Sequence, residues 1–549
     1  MADAALNPKA RAPFFAEDSL KALIASILIY WGGHALVSPV TNSDSQVYNL
    51  ARLSVTERAG FWQTTAWNSV RQVIFPWTFD AVHYPFLKIG WGFALPSFLV
   101  FLGLLVIIFK LVASRFGSKV GFWSILTILA MPTLMLQATT TKNDLVVAFG
   151  AGCWLYSLVR FRQSQKKFFL FTAALSVAFT VGCKTSALPI CAVLIVATGW
   201  LLRTQFQRAL LFLMFCGPLL LLFGSVETYI LTWRTYHDPL GPKWFVNSHI
   251  NKDGIRGATA NFIRYYMATI SLGIDGVDCR SGSSQFLEEK CRLLLDGLDL
   301  RDAGCRIDYS DTNMPFLKDG SDSGSDYGFV GFLALAVSSI VIWRPRFRKL
   351  FWILGAAGFA LLGFTCFTIV WMPWNARYLC LSFVLFGVSL SLLIFEARND
   401  RSWKEMTLGL TIIWSAISLP LHCGQRRPLD FWNAFVARAD LSLKQKWEMK
   451  QIYDDVLNFR TKKTDAWFLV AGENSWTLPF LSQPRMNWQL TPRWDQALIA
   501  RQGLPASNDV FALVLDSQLP KNFPFEIVKA YPSSSFIVKL RSDTQKQPQ

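Results

Sequence analysis

Two acidic and two basic residues lie in polar gaps beside long apolar runs of the chain. Asp44 follows the apolar run 23–40, Lys184 interrupts a second run, and Asp144 and Arg377 each precede another. A carboxylate can act as a general base, whereas Lys and Arg can bind a phosphate and stabilise its charge. Together these residue types would suit chemistry on a phosphate-bearing substrate, provided that the fold brings them to one place.

Each of these residues also has a purely structural interpretation. Asp44 could cap a helix over 46–59, and Asp144 could cap the helix that it precedes. Lys184 could extend its ammonium group to the membrane interface, and Arg377 could anchor its segment there. An ionised side chain inside a bilayer costs roughly 2.5–3.5 kcal/mol, so several such groups on one side favour a paired or water-filled site.

The composition predicts the elements that must position these residues. Of the 549 residues, 52% are hydrophobic and 17% are charged, against about 25% charged in a typical soluble domain. Apolar runs long enough to cross a bilayer recur along the chain, which indicates an α-helical polytopic membrane protein. The first run carries no signal-peptide cleavage pattern, so it is expected to remain as a helix. About eleven transmembrane helices are predicted, at 20–39, 91–112, 120–138, 145–162, 167–183, 186–203, 208–232, 328–343, 350–371, 378–396 and 405–422.

The distribution of basic residues predicts the orientation of the chain. The net charge is +17, which by itself would suggest a nucleic-acid partner. Lys and Arg concentrate instead in short gaps between apolar runs, at 115–119, 160–167, 203–208, 344–349 and 398–404. This arrangement follows the positive-inside rule and predicts no nucleic-acid partner. The N-terminus is then cytoplasmic, whereas the loops 40–90 and 233–327 and the C-terminus are extracytoplasmic.

The chain divides into two predicted domains. Residues 1–424 hold the apolar runs and form the transmembrane domain, with the site residues named above. Residues 425–549 are more polar, and stretches beginning at Asp465, Asn508 and Glu526 have the pattern of short strands and turns. We therefore predict a small extracytoplasmic α/β domain at the C-terminus.

The loop 40–90 is rich in aromatic and polar side chains. Rings of this kind suit the faces of sugars and the membrane interface equally well. His83 could also serve only in a local hydrogen bond. Four residues of this loop, with one neighbour of Arg377, are candidate substrate-binding residues: Tyr48, Arg52, Arg71, His83 and Tyr378.

The cysteines and common catalytic motifs give little support to other chemistry. The chain has ten cysteines but no CxxC pair, and it lacks HExxH, GxSxG, P-loop and dinucleotide-binding glycine patterns. Cys279, Cys291 and Cys305 share one predicted extracytoplasmic loop. Two of them could pair in an oxidising compartment, and which two is left open.

Six short motifs, in this order and topology, resemble those of a known enzyme family. The family is the GT-C class of membrane glycosyltransferases, which use polyprenyl-phosphate sugars, and the nearest resemblance is to bacterial members of the mannosyltransferase and aminoarabinose-transferase type. The resemblance extends from about residue 20 to 396. The motifs are DSQVYNLAR at 44–52, KNDLVVAF at 142–149, CKTSALP at 183–189, YHDPLGP at 236–242, SDYGFVG at 325–331 and NARYL at 375–379.

The resemblance implies an activity and a role for each site residue. Asp44 would be the base, and Lys184 and Arg377 would face the donor's lipid phosphate. Asp144 would orient the acceptor or, with Asp44, hold a divalent cation, although Asp44 lies between two serines where many members carry a second acid.

The implied partners are a polyprenyl-phosphate-linked sugar donor and a lipid, glycan or protein acceptor. Transfer would occur on the extracytoplasmic face with inversion at the sugar. The implied location is a bacterial inner (plasma) membrane, with the endoplasmic reticulum as the alternative.

Two other functions remain as alternatives. A transporter or flippase also places charged residues near broken helices, but the chain shows no repeated halves. A transferase of phospho-groups would need a nucleophilic Ser or Thr beside a metal cluster, and the sequence offers no His and Asp cluster for the metal.

Overall fold

A computed structural model gives the fold of the chain. It describes residues 16–38, 44–62, 69–89, 91–275, 282–305, 327–342, 349–372, 375–396 and 403–422, together with Asp455 and five strands between 467 and 540. Helices dominate these residues, as the hydropathy predicts.

The N-terminal half consists of long apolar helices joined by short helices and turns. Helix α6 has Pro96 in its first turn and ends at Phe116, just before Gly117, whose φ of 93° favours glycine. The helices are α1 (Glu17–Val37), α2 (Leu50–Ala59), α3 (Val70–Ile74), α4 (Thr78–Val82), α5 (Tyr84–Ile89), α6 (Leu95–Phe116), α7 (Ser118–Leu129), α8 (Pro132–Ala138), α9 (Asp144–Ser164), α10 (Lys167–Cys183), α11 (Leu188–Leu201) and α12 (Phe206–Phe223).

The second half begins with two shorter helices and continues with a helical loop and further apolar helices. These are α13 (Val226–Tyr236), α14 (Lys243–Asn247), α15 (Gly254–Asp275), α16 (Gly282–Gly297), α17 (Gly328–Ile342), α18 (Lys349–Thr368), α19 (Cys380–Glu396) and α20 (Trp403–His422). A π-helical turn, Ser45–Asn49, precedes α2, and 3-10 segments at Thr185–Ala187 and Asn375–Leu379 precede α11 and α19.

Nine of the eleven predicted spans each fall on one helix of the structure, whereas 120–138 falls on the pair α7 and α8, and 208–232 runs from α12 into α13. Within the described residues, five helical segments are long and apolar enough to cross a membrane, and α7 with α8 adds a sixth if this pair, bent by 82°, is one span. The remaining predicted spans fall on shorter apolar helices, such as α10, α11 and α17. The number of eleven crossings therefore stays a prediction.

The helices pack around two large apolar clusters, one of them among α10, α11, α12 and part of α9. Helix α9 packs on α6 and α10, and α19 packs on α7, α9, α17 and α18. Trp31, Phe101 and Phe386 are fully buried in the other, larger cluster. Because α9 begins and α10 ends beside the segment that precedes α19, three of the polar gaps meet at one end of the bundle.

A five-stranded sheet is described near the C-terminus. Its strands are β1 (Trp467–Ala471), β2 (Asn487–Thr491), β3 (Val510–Leu515), β4 (Phe525–Ala530) and β5 (Ser535–Leu540). Their order is β2-β1-β3-β5-β4, with β1 parallel to β2 and β3, and β5 antiparallel to β3 and β4. The sequence pattern predicts four of these strands and misses β2. The predicted helices of this domain lie outside the described residues, and its boundary at 424 stays a prediction.

Candidate active site

Asp44 lies at the centre of a buried cluster of charges. Its Oδ2 accepts a hydrogen bond from Arg377 Nη1 at 2.7 Å and lies 3.7 Å from Lys142 Nζ. Its Oδ1 lies 3.6 Å from Arg71 Nη1. Three cations from three separate parts of the chain therefore face this carboxylate.

Asp144 forms the second half of the same cluster. Lys184 Nζ donates a hydrogen bond to Asp144 Oδ1, and Arg377 Nε lies 3.9 Å from Asp144 Oδ2. The Lys184 ammonium also lies 4.2 Å from the centre of the Tyr378 ring, in a cation–π contact. Arg377 therefore bridges the two acids, and the four residues predicted from separate polar gaps meet at one place.

The cluster carries an excess of positive charge. Its four cations, Arg71, Lys142, Lys184 and Arg377, outnumber its two carboxylates by two. Removing one partner of a buried ion pair typically costs 3–5 kcal/mol, so the groups depend on one another. A surplus of fixed cations in a buried site favours the binding of an anion such as a phosphate.

The charges around Asp44 also set its proton affinity. Burial by itself would raise the pKa of Asp44, but the nearby charges of Arg377, Lys142 and Arg71 outweigh burial and lower the pKa well below its usual range. Asp44 is therefore ionised at neutral pH, and it becomes a stronger base when cations move away from it.

The first loop is folded so that Arg71 reaches Asp44. Ser69 caps helix α3, since its hydroxyl accepts a hydrogen bond from the Arg71 backbone N–H at 3.2 Å. Gln72 Nε2 donates to the backbone carbonyl of Val47 at 2.7 Å, which joins α3 to the π-helical turn after Asp44. Tyr48 is buried in that turn, and the Arg71 guanidinium lies 5.8 Å from its ring centre.

The turn at 139–143 positions Lys142 and the start of α9. The Lys142 N–H donates to Thr140 Oγ1 at 3.2 Å, and the Lys142 carbonyl accepts from Ser97 Oγ at 3.3 Å. Asn143 Nδ2 donates to the carbonyl of Cys183, the last residue of α10. This bond ties the segment that precedes Asp144 to the segment that precedes Lys184.

Lys184 follows the end of α10, where the chain makes a close contact with the start of α13. Ser225 has a left-handed backbone with φ of 52°, and its hydroxyl donates to the Gly182 carbonyl at 2.8 Å. The same hydroxyl accepts from the backbone N–H of Trp77 at 3.1 Å. One serine thus links the end of α10 to the first loop.

The 3-10 segment Asn375–Leu379 presents Arg377 to both acids. Asn375 Nδ2 donates to the Val370 carbonyl at 2.9 Å, and Tyr327 Oη donates to the Ala376 carbonyl at 2.8 Å. Both bonds involve the two residues just before Arg377 and fix the backbone that leads to it.

A cavity opens beside Asp144, Lys184 and Tyr378. These three residues line it together with three hydroxyl residues, Ser186, Thr365 and Ser382, and six apolar residues. The apolar residues come from α9, α11, α18 and α19 and the chain between α18 and Arg377: Val147, Ile190, Leu361, Phe364, Ile369 and Leu381. The lining therefore combines charged and hydroxyl groups with apolar side chains.

Two of the predicted substrate-binding residues do not join the cluster. Arg52 is fully buried, and its guanidinium bonds Asp80 Oδ2 and the backbone carbonyls of Gln72, Phe75 and Pro76. These partners bond its Nη1 and Nη2 groups, so Arg52 holds the first loop together.

His83 is also fully buried, and its Nδ1 lies 3.0 Å from the Phe79 carbonyl. Burial lowers the pKa of His83 to about 4, despite backbone hydrogen bonds that oppose this effect, so the imidazole is neutral at pH 7. Both Arg52 and His83 share a loop with Asp44 without sharing its site.

Lys142 is the site residue that the sequence did not single out. It stands two positions before Asp144 in the KND motif, which was a usable signal. The side chain is only 2% exposed. Its contact with Asp44 depends on packing between distant segments, which the motif alone does not reveal.

The cluster does not fit a divalent metal ion. Both carboxylates already face cationic side chains, which would repel a metal. Within the described part of the chain, no group of three or more His, Cys, Asp and Glu side chains has the arrangement of a metal site. Cys291 is buried in α16, Cys279 lies outside the described residues, and the disulfide pairing stays a prediction.

Comparisons with known proteins show the fold. No protein-family model and no curated protein matches the sequence. The crystal structure of ArnT from Cupriavidus metallidurans in the apo state matches with a TM-score of 0.54 and 13% identity, over 96% of this chain and 99% of that chain. ArnT bound to undecaprenyl phosphate matches with a TM-score of 0.53 and 14% identity, over 97% of this chain and 100% of that chain. The predicted resemblance is thus confirmed for the fold: the chain is a helical membrane protein with a GT-C-type fold, similar to that of ArnT.

Proposed function

We propose that the protein is a membrane glycosyltransferase that moves a sugar from a polyprenyl-phosphate donor to a hydroxyl group of an acceptor. The observation that carries this proposal is the cluster in which Arg377 bridges Asp44 and Asp144 among three further cations. A buried site with excess positive charge suits a lipid phosphate, and an ionised acid within it suits a general base.

The cavity beside the cluster supports a lipid-linked donor. Lys184 and Tyr378 line it together with apolar residues of α11, α18 and α19. A phosphate bound by Lys184 would leave the start of its polyprenyl chain near these apolar residues. The ArnT structure that contains undecaprenyl phosphate supports a ligand of the same chemical class for this fold.

The proposed reaction is a single displacement at the anomeric carbon. The acceptor oxygen forms a bond to C1 while the bond from C1 to the phosphate oxygen breaks, and its electron pair stays on the phosphate. Arg377 and Lys184 stabilise the charge that develops there. Asp44 takes the acceptor's proton, and attack from the opposite face inverts the anomeric configuration.

Asp144 acts mainly through the cations in this proposal. It holds Lys184 by a hydrogen bond and Arg377 by a longer ion pair. We propose that it orients both cations toward the donor phosphate. Tyr48 and Arg71 lie on the Asp44 side of the cluster and are proposed to contact the sugar or the acceptor.

An assay of sugar transfer tests the proposal. Membranes containing the wild type would be supplied with a panel of polyprenyl-phosphate sugars and an extract of lipid, glycan and protein acceptors. We expect transfer from at least one donor, and a loss of about 100-fold or more in Asp44→Asn, the usual scale for a general base. Asp18→Asn is the matched control, because Asp18 is an exposed acid at the start of α1.

Two results would count against the proposal. Full transfer by a well-folded Asp44→Asn variant would exclude Asp44 as the base. An absence of transfer from every donor, with wild-type protein of normal abundance, would favour a transporter or flippase.

A further inference from the structure

The cations of the cluster differ in how they are shared between the two acids. Arg377 contacts both acids, at 2.7 Å from Asp44 and 3.9 Å from Asp144. Lys142 forms an ion pair with Asp44, and Lys184 forms one with Asp144. A donor phosphate in contact with Arg377 would weaken both of its ion pairs, while each lysine could stay with its own acid.

Lys142 and Arg71 also differ in their access to a ligand. The Arg71 side chain is 31% exposed, whereas that of Lys142 is 2% exposed. Arg71 can therefore turn toward a substrate at little cost, since part of it is already in contact with solvent. The ammonium group of Lys142 is enclosed beside Asp44, and leaving that position would require the turn around it to open.

The backbone around Lys142 is fastened to the turn that follows Asp44. Thr140 and Ser97 bond the N–H and the carbonyl of Lys142. The hydroxyl of Thr141 donates to the hydroxyl of Ser45, the residue that follows Asp44. Lys142 and Asp44 are thus parts of one small unit, and they are expected to keep their spacing when other groups move.

We propose that Lys142 is a positioning residue for the base, which keeps the Asp44 carboxylate ionised and oriented while Arg377 turns to the donor phosphate. The inference rests on the proposed function. It assigns Lys142 a constant electrostatic role and leaves the lipid phosphate to Arg377 and Lys184.

The charges that face Asp44 show why this role matters. Arg377, Lys142 and Arg71 face it from three elements, and Tyr48 lies on its own turn. When Arg377 is engaged by the phosphate and Arg71 by substrate, Lys142 is the cation that stays. Without it, burial would favour the protonated carboxyl, which cannot accept the acceptor's proton.

The test is a pH–rate profile at saturating donor, using the transfer assay above with purified protein. Loss of an opposite charge at this distance typically raises a carboxyl pKa by one unit or more. In Lys142→Gln we therefore expect the acid limb of the kcat profile to move up by at least one pH unit. At pH values below the wild-type acid limb the rate should fall about tenfold or more, and well above the limb it should stay within about threefold of the wild type.

Three further variants give the test its controls. Lys142→Arg keeps the charge and should keep the position of the wild-type acid limb. Lys142→Met is a second neutral variant of similar length, used if Lys142→Gln does not yield folded protein. Lys88→Gln removes an exposed lysine that pairs with Glu57 elsewhere in the same loop, and its profile should match the wild type.

The outcomes separate this inference from the proposed function. A loss in Lys142→Gln that is equal at all pH values, in folded protein, would overturn the role of Lys142 and leave the transferase proposal intact. An unchanged pH–rate profile in both Lys142→Gln and Lys142→Met would also overturn the role of Lys142 and leave the transferase proposal intact. Failure of the wild type to transfer sugar from any donor would overturn the proposed function, and this inference with it.

Discussion

Asp44 shows how one carboxylate can be both buried and ionised. The guanidinium of Arg377 bonds it directly, and Lys142 and Arg71 compensate for the water that it has lost. The same contacts make it a weak base in the absence of substrate. We infer that donor binding, which draws cations toward the phosphate, increases its basicity at the moment when an acceptor must be deprotonated.

Lys184 provides a prediction at the residue scale. Its ammonium bonds Asp144, lies over Tyr378 and lines the cavity, so Lys184→Gln should weaken stabilisation of the proposed donor phosphate. A hydrogen bond to a charged group contributes about 1.5–3 kcal/mol, so kcat/KM for the donor should fall at least tenfold. Steady-state kinetics with varied donor would measure this change.

The control for this prediction lies at the other end of the same helix. Lys166 precedes the first turn of α10 and is exposed, whereas Lys184 follows its last turn. Lys166→Gln should leave kcat/KM within about twofold of the wild type. Equal effects of the two substitutions would mean that charge on α10 acts through folding or insertion, and that Lys184 has no special role.

At the scale of elements, the site depends on where helices end. Asp144 begins α9, Lys184 follows α10, and Arg377 lies in the 3-10 segment before α19. Each position combines a side chain with backbone groups that helix ends leave unsatisfied, and side chains from neighbouring segments bond those groups. The hydrogen bonds from Asn143 to Cys183 and from Ser225 to Gly182 are of this kind.

Gly182 provides a prediction at this scale. A Cβ atom at this position would overlap the carbonyl oxygen of Phe223 and lie 2.6 Å from Thr78 Oγ1, so Gly182→Ala must push the end of α10 away from α12. We expect lower thermal stability and a loss of transfer activity of about tenfold or more, since Lys184 would move with the helix end. Melting curves in detergent and the transfer assay would report both effects.

Gly199 is the matched control for Gly182. It lies in α11, and a Cβ atom there would meet nothing within 4 Å. Gly199→Ala should be neutral or slightly stabilising, because alanine favours the helix by about 1 kcal/mol over glycine. Wild-type activity and stability in Gly182→Ala would show that the contact between α10 and Phe223 does not position Lys184.

The elements also show what the sequence could and could not predict. Each predicted span lies on helical residues, because long apolar runs leave few alternatives to helices in a membrane, but the breaks within 120–138 and 208–232 were not predicted. A charged side chain beside such a run costs free energy on insertion into the membrane, which is why the sequence could single out Asp44, Asp144, Lys184 and Arg377. Strand β2, Asn487–Thr491, escaped prediction because its NWQLT sequence lacks the long apolar pattern of its neighbours.

Individual side chains within the first loop were harder to predict. Arg52, Arg71 and His83 share that loop with Asp44, and sequence alone gives all three a similar chance of contacting substrate. Packing separates them, because Asp80 and backbone carbonyls take the guanidinium of Arg52, whereas Arg71 reaches Asp44. Lys142 could not be selected from the sequence, because its partner Asp44 lies almost a hundred residues earlier in the chain and only the fold brings the two together.

At the scale of the whole molecule, the predicted orientation places the charged cluster and the C-terminus on the same side of the membrane. We propose that the protein lies in a bacterial inner membrane with its N-terminus in the cytoplasm, as the basic gaps predict. Alkaline phosphatase fused after residue 549 should be active, because this reporter enzyme becomes active only outside the cytoplasm. A fusion after Gln165, in a basic gap, should be inactive, and the reverse result would contradict the orientation.

The most direct test of the central claim is the identity of the lipid that remains after the reaction. Purified protein in lipid vesicles would receive a polyprenyl-phosphate sugar and acceptor extract, and mass spectrometry would follow donor, lipid product and acceptor. We predict polyprenyl phosphate in an amount equal to the sugar gained by the acceptor, because the bond between C1 and the phosphate oxygen breaks. Release of polyprenol would contradict this prediction, since the phosphate would then have left with the sugar. Movement of intact donor to the other leaflet, without transfer, would contradict it as well.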